Sequence, residues 1–501
     1  MKIINSAKEL KKKSDFLKKN KKKIVLVHGV FDLVHPGHLN YFKEAKTYGD
    51  ILIVSLTSDK FVNKGINKPY FEQSYRIEFL SNLEIVDYVY CNNNSSAVNV
   101  INNSKPNFYV KGPDYKKIKN DTAGNLKDEK KAIIRNGGKL VFTSGKSFSS
   151  SSLMNLNFEA YNPAKKIISK YFKQPNDAKR SFENILNKIS KDRILVIGEI
   201  IIDKYIYSDT LGKPSKEDIL SVCVNKTDTF LGGVIPVLKN IKQFNNNVSL
   251  ISIYNNENIK KKIKNELKSL KNINLIKVQG YKDVIKSRFV SNGSTKVFET
   301  YEFANEKING NAQYNFIKKS LKKYDHVIVC DFGHGLINHK LASLICKKAK
   351  FLSLNVQTNS GNRGYNLFTK YKSGNLLCID RLEIRLGLSD KFTPVNKLMK
   401  NKNLSKFKNV ALTMGSEGHI LRIFKNKNIF EFPAMNKKVL DTIGAGDAFY
   451  SYLACFIRHS SNPAILSLAG AIAGALKADI IGHKSEVKIE NVLKSLIFLT
   501  K

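Results

Sequence analysis

Two histidines stand three positions apart in LVHGVFDLVHPGHLNYFKEA, residues 26–45, as His35 and His38 of an HPGH run that follows an apolar segment ending in Gly29. A strand, a glycine turn and a helix start make an anion site, because the first N–H groups of a helix lack intrahelical partners and its dipole favours negative charge. Two imidazoles at that mouth supply donors that follow charge developing on a phosphoryl oxygen during in-line displacement. A packed polar turn and a zinc site are the alternatives, and zinc needs further ligands, of which Asp32 is the obvious neighbour. Far downstream, KVLDTIGAGDAFYSYLA at 438–454 places Gly444, Ala445 and Gly446 before a helical pattern. Backbone can approach a phosphate closely there, and the Asp447 carboxylate is placed to take a proton from an attacking hydroxyl. That is kinase chemistry.

Elements must hold these groups, and the chain is long enough to build two sets of them. Its 501 residues exceed what one hydrophobic core usually holds, and 42% hydrophobic with 25% charged residues is an ordinary globular balance. The six cysteines show no CxxC pair, which fits reduced thiols and a cytoplasmic location better than disulfides or zinc. The longest apolar stretch, AILSLAGAIAGAL, is too short for a bilayer, and the N-terminus lacks the apolar core of a signal peptide, so no membrane insertion is expected. The net charge is +42, but the lysines are scattered and no arginine-rich or aromatic-interleaved module accompanies them. No nucleic-acid partner is expected on that pattern.

Along residues 1–155, helical spacing in SAKELKKKSDFLKKN with Ser6 as cap gives way to the buried-strand run KKIVLVHG. Strand runs DILIVSLTSD, VDYVYC, NFYVKG and KLVFTS then alternate with helical patterns. Short connections between them predict a parallel sheet covered on both faces, an α/β domain. Residues 156–190 carry charge, Pro163 and Pro175, and read as a linker with one or two helices or as an extension of either domain. From RILVIGEIIIDKY a second α/β series runs to 501.

GVFDLVHPGH resembles the signature of the nucleotidyltransferase superfamily that includes the cytidylyltransferases, a Rossmann-like fold. NKPYFEQSYRIEFLSNLEIVDYVY, YVKGPDY, NGGKLVFT and SFSSSSLMN follow in that family's order. The resemblance implies that His35 and His38 stabilise the transition state at the α-phosphate of ATP or CTP, and that Gly29, Phe31 and Asp32 bind the nucleotide beside them. It implies that Lys68 and Arg76 hold charged oxygens, that Lys111 and Asp114 line the pocket, and that Ser149, Ser150 and Ser151 cap a helix against phosphate. It also implies Mg²⁺ on the triphosphate.

DTIGAGDAF is similar to the signature of the ribokinase family of carbohydrate kinases, and RILVIGEIIIDKY, FLGGV and LTMGSEGHIL keep that family's order. The resemblance makes Asp447 the base and Gly444, Ala445 and Gly446 the anion hole, with Asp441 and Thr442 positioning that loop. It puts Asp203, Gly232 and Gly233 in the sugar pocket, Gly415 and Gly418 beside the nucleotide, and Asp380 and Glu383 near Mg²⁺. Departures fall where substrate is read: Glu199 for an aspartate, Pro236 and Asp380 for asparagines, and NVQTNSGNRGYN for a DPK-like run. A kinase for an unusual substrate and a decayed kinase that still binds ligand both fit those departures.

Together the halves resemble the bifunctional heptose-phosphate kinase and nucleotidyltransferase with the order reversed. The implied partners are sugar phosphates and nucleotides, with glycerol phosphate or another polyol phosphate as other acceptors. Residues 211–230, LGKPSKEDILSVCVNKTDTF, read either as a homodimer contact or as a lid over the sugar.

Overall fold

The computed structural model describes residues 2–62, 69–113, 125–144, 163–270, 272–291, 295–303, 311–423, 429–435 and 439–500. It divides into two units, Met1–Tyr161 and Asn162–Lys501.

The first unit is a six-stranded parallel sheet of β1 (Ile3–Ile4), β2 (Ile24–Gly29), β3 (Ile51–Thr57), β4 (Tyr88–Asn92), β5 (Phe108–Lys111) and β6 (Lys139–Phe142), in the order β1-β4-β3-β2-β5-β6. Its strands are continuous apolar runs because both faces are covered. Ile24 and Leu26 pack with Leu10 and Leu17 of α1 (Ala7–Lys19) and with Ile101 and Ile133, whereas Val25 and Val27 pack with Phe42 of α2 (Pro36–Lys46) and Leu80 of α3 (Gln73–Ser81). Successive strand residues thus serve opposite cores, as a period of two requires. Ser6 caps α1 by accepting the Glu9 N–H at 3.1 Å. The strand order reverses between β2 and β5, and the crevice outside the carboxyl ends of such strands is where open α/β sheets bind ligands.

The second unit opens with helices Pro163–Tyr171 and Pro175–Ile189. From Pro163 onward, the stretch read as a linker is therefore helical, and it packs inside this unit: the Phe182 ring lies 4.5 Å from that of Phe456. Residues 156–162 lie outside the described residues. A nine-stranded sheet follows, with β7 (Ile194–Gly198) third from the edge strand β11 (Ile273–Lys277), between β10 (Val248–Tyr254) and β14 (His326–Asp331), and β15 (Leu352–Val356) and β16 (Gly374–Asp380) continue it beyond β14. Its parallel run ends in an antiparallel hairpin of β18 (His419–Arg422) and β19 (Ile429–Phe432). A separate four-stranded sheet, order β13-β12-β8-β9, contains β8 (Ile200–Gly212), β9 (Ser221–Gly233), β12 (Val284–Ser291) and β13 (Thr295–Glu302). Residues 211–230 are the far end of its β8–β9 hairpin. Among the described residues, no helix is long and apolar enough to cross a membrane.

Candidate active sites

In the first unit, α2 begins at the carboxyl end of β2, beside the β2–β5 switch point. His35 is its N-cap: the Gly37 N–H donates to Nδ1 at 3.1 Å, and Pro36 supplies the first helical residue, where a missing N–H costs nothing. Because Nδ1 accepts, the hydrogen of a neutral His35 sits on Nε2, a donor edge. Burial lowers the His35 pKa and so favours that neutral form. The His35 and His38 rings lie 4.0 Å apart. Phe31, at φ 51°, stands edge-on to His38 at 5.5 Å and to Phe42 at 5.3 Å. A methyl group on Gly29 would come 3.0 Å from the Phe31 ring, so the glycine makes room for the wall behind the histidines.

The remaining residues on the described side hold the site together. Asp32 accepts the N–H groups of Tyr70 at 2.7 Å and Phe71 at 3.0 Å, which spends a phosphate-repelling carboxylate on the neighbouring loop. Arg76, expected to hold phosphate oxygens, is 2% exposed and is committed to the protein instead. Its guanidinium donates to the carbonyls of Val30, Thr57 and Phe71 and to the Asp59 carboxylate at 2.6 Å. It braces the turn that carries the histidines. Arg76→Ala is expected to destabilise the first unit by about 3 kcal/mol, since it strands a set of buried acceptors, and denaturant unfolding measures that loss. Lys111, at the end of β5, pairs with Glu129 at 3.0 Å, and Glu129 also accepts from Tyr109 Oη and the Ala97 N–H. Lys68, Asp114, Ser149, Ser150 and Ser151 lie outside the described residues. A third histidine enters unannounced: His28 on β2 contacts Ser55 Oγ at 3.1 Å, and burial with the Lys111 charge takes its pKa down to about 4. Its one signal was a polar residue inside an apolar strand run.

In the second unit, helix Ala445–Ile457 starts at Gly444, whose φ of 78° suits glycine. Asp441 shapes the turn before it by accepting from Ile443 N–H at 3.1 Å, Gly482 N–H at 2.8 Å and Lys296 Nζ at 2.9 Å. Asp447 lies in the helix's first turn with its carboxylate on Gln357 Nε2 at 3.0 Å. Burial raises its pKa, against the lowering effects of His483, Gln357 and Lys477. A carboxylate held above its ordinary range is a better proton acceptor.

The sugar-pocket residues of the sequence reading come together here. Asp203 on β8 pairs with Arg288 of β12 and with His483 Nε2 at 3.2 Å. A methyl on Gly232 would fall 2.3 Å from Asp203 Oδ2, and one on Gly233 would fall 2.4 Å from the Glu199 carbonyl. Both glycines let β9 close against the start of β8. Gly415 and Gly418, with φ of 58° and 96°, form the tight turn between β17 (Phe407–Thr413) and β18. Asp380 and Glu383 are a reciprocal helix cap: Glu383 N–H donates to Asp380 at 2.7 Å, and Asp380 N–H donates to Glu383 at 2.7 Å. The second Glu383 oxygen accepts the Thr358 N–H at 3.0 Å, and burial and Asp380 push its pKa up to about 8. Both Glu383 oxygens are thus taken by backbone N–H groups, and among the described residues no three metal-ligating side chains converge.

The departures now have local explanations. Glu199 is buried and accepts the N–H groups of Phe332, His334 and Leu336 at 3.1, 3.1 and 3.2 Å, so it anchors a loop. Pro236 sits in the first turn of helix Val234–Lys242, where its missing donor is not needed. The NVQTNSGNRGYN run delivers Gln357 to Asp447, and Asn355 Oδ1 orients that amide at 2.8 Å. Gln357→Glu would set a second carboxylate beside the first and disfavour ionisation of both. The acid limb of the kinase pH–rate profile is then expected to move to higher pH, with activity partly recovered in alkaline buffer. Arg288, Gln357, His483, Lys477 and Lys296 were not legible as site residues, because they come from three distant stretches, 288–296, 357 and 477–483, with no motif of their own.

A family model described as cytidylyltransferase-like matches residues 26–155, and one described as pfkB family carbohydrate kinase matches residues 191–477. The bifunctional protein HldE of Aliarcobacter butzleri is 26% identical over 296 residues, 57% of this chain and 61% of that protein. The HldE of Helicobacter pylori strain G27 is 42% identical over 108 residues, 21% of this chain and 23% of the other. Each match thus spans less than two thirds of the relative's length. Among solved structures, a ribokinase from Thermotoga maritima aligns over 61% of this chain and 99% of its own at 18% identity, with a TM-score of 0.46. On the two matched segments and the helix-start sites they contain, the chain belongs to the pfkB family of carbohydrate kinases, with a cytidylyltransferase-like domain ahead of its kinase domain.

Proposed function

We propose that this protein is a bifunctional enzyme of nucleotide-activated sugar synthesis. The second unit phosphorylates a heptose-like sugar or sugar phosphate with ATP, and the first transfers a nucleoside monophosphate from ATP or CTP to a sugar 1-phosphate. The observation that carries the reading is the placement of each reactive set at a helix start: His35 and His38 at α2, and Asp447 one turn into the helix after Gly444. Similarity to the bifunctional HldE proteins supports the pairing of the two reactions in one chain.

In the kinase unit, Asp447 takes the proton of the sugar hydroxyl as that oxygen attacks the γ-phosphorus and ADP leaves. The N–H groups at Gly444 to Gly446 stabilise the charge on the phosphoryl oxygens in flight. In the transferase unit, an acceptor phosphate oxygen attacks the α-phosphorus and pyrophosphate leaves, with the His35 Nε2–H and the His38 imidazole following the charge. Mg²⁺, where it accompanies the triphosphate, would supply charge neutralisation on its oxygens.

The test is a mass-spectrometric screen of the purified chain with Mg²⁺ and ATP or CTP against free sugars, sugar phosphates and polyol phosphates. A phosphorylated heptose together with a nucleotide-linked heptose is the expected result. Nucleotide-linked glycerol or polyol products would keep the transfer chemistry and replace the acceptor. Failure of every acceptor would overturn the enzymatic reading.

A further inference from the structure

His483 occupies a place in the kinase unit that the motifs do not announce. It lies on the segment between helices Pro463–Ala478 and Ile489–Thr500. Its backbone is pinned through Gly482, whose N–H donates to Asp441 at 2.8 Å and whose carbonyl accepts Lys477 Nζ at 2.5 Å. One edge of the imidazole meets the sugar-pocket side: Nε2 is 3.2 Å from Asp203 Oδ2, and a methyl on Gly232 would lie 3.3 Å from the same nitrogen. The other edge meets the helix start: a methyl on Gly444 would lie 3.1 Å from Cε1 and 3.4 Å from Nδ1. One ring therefore spans the glycine of the sugar strand and the glycine of the anion hole.

Its hydrogen bonding is half used. The side chain is 7% exposed. A carboxylate only accepts, so Nε2 carries the hydrogen toward Asp203. Nδ1 is buried and has no hydrogen-bond partner among the described residues. Buried nitrogens are seldom left that way, and one that is calls for an explanation such as a catalytic role or a bound group. The charged groups next to the ring are the carboxylates of Asp203 and Asp447 and the Lys477 ammonium, with Arg288 behind Asp203 and the Asp441–Lys296 pair behind Gly482. Asp203 is already shared with Arg288, and Asp441 with Lys296, which leaves the Nδ1 edge beside a helix N-terminus that favours an anion.

We propose that His483 contacts substrate as an imidazolium, with a hydrogen on each ring nitrogen: Nε2–H is held by Asp203, and Nδ1–H donates to an oxygen of the phosphoryl group bound at the Gly444–Gly446 helix start. The inference rests on the kinase reading above. During transfer the bond from the γ-phosphorus to the ADP oxygen breaks, the bond to the sugar oxygen forms, and the hydroxyl proton passes to Asp447. His483 exchanges no proton and forms no covalent bond.

His483→Gln separates the two edges, because a glutamine amide can still donate to Asp203 while offering nothing at the Nδ1 position. In the full chain, the variant is expected to lower kcat for sugar phosphorylation 10- to 100-fold. The KM for ATP should stay within twofold, and pyrophosphate release by the transferase unit should not change. In parallel, inorganic phosphate added to ¹³C-histidine-labelled protein should move, among the imidazole signals, the one missing from the His483→Gln spectrum. An unchanged kcat in the variant, or a lowered kcat with a phosphate-insensitive His483 signal, overturns direct contact. If the wild type turns over no sugar but phosphate still moves that signal, the kinase reading fails and the contact stands.

Discussion

Asp447→Asn is expected to abolish sugar phosphorylation to about one part in 10³, with ATP binding near normal. Asparagine keeps the size of the side chain and an oxygen for the Gln357 amide, which donates to Asp447 at 3.0 Å. It removes only the basic lone pair that would receive the hydroxyl proton. The same substitution has a second, independent readout in stability. Burial raises the Asp447 pKa above its ordinary 3.8, so the folded state holds the proton more tightly than the unfolded chain. The wild type therefore loses stability as pH rises from the ordinary aspartate value through the raised folded value, and the loss is complete above it. Asp447→Asn does not titrate and should not show that loss. Comparison of thermal midpoints at acid and neutral pH would show it, and the acid limb of the wild-type kcat/KM profile should lie above the range of an exposed aspartate. A variant that retains phosphorylation within tenfold would remove Asp447 from the base role.

His35→Asn is expected to cost the transferase about 10²-fold in rate while leaving the first unit folded. Asparagine is among the better N-caps and can accept the Gly37 N–H that His35 now accepts at 3.1 Å. It cannot reproduce the Nε2–H edge, and losing one such donor to a developing oxyanion costs about 10²–10³-fold. His35→Ala removes cap and donor together, so it should match the kinetic loss and add about 1 kcal/mol of destabilisation. Pyrophosphate release and urea unfolding of the two variants separate the contributions. Equal kinetics in His35→Asn and wild type would reduce His35 to a cap.

Much of this was readable from sequence because it is local. The run IVLVHG is apolar on consecutive residues, which marks a strand covered on both faces, and the helix-start glycines and caps act within a few residues of chain. Ser6, His35 and Gly444 sit at helix N-termini in the structure. Arg76 illustrates the limit: a lone arginine near a phosphate motif reads as a phosphate ligand, whereas burial commits its donors to carbonyls from three separate segments. Glu199 does the same for the second unit, where an apparent change of substrate group is a backbone anchor.

The sequence by itself determined the two α/β units, their order along the chain and the identity of the two reactive motifs, since patterning, capping and glycine geometry depend on neighbours a few residues away. The tertiary structure decided what surrounds those motifs. Gln357 reaches Asp447 from 90 residues away, His483 reaches Asp203 from the far end of the unit, and Arg288 reaches Asp203 from the neighbouring strand of the same sheet, 85 residues along the chain. Such contacts come from sheet order and long-range packing, and linear spacing carries no record of which distant side chains the folded core will bring within hydrogen-bonding distance.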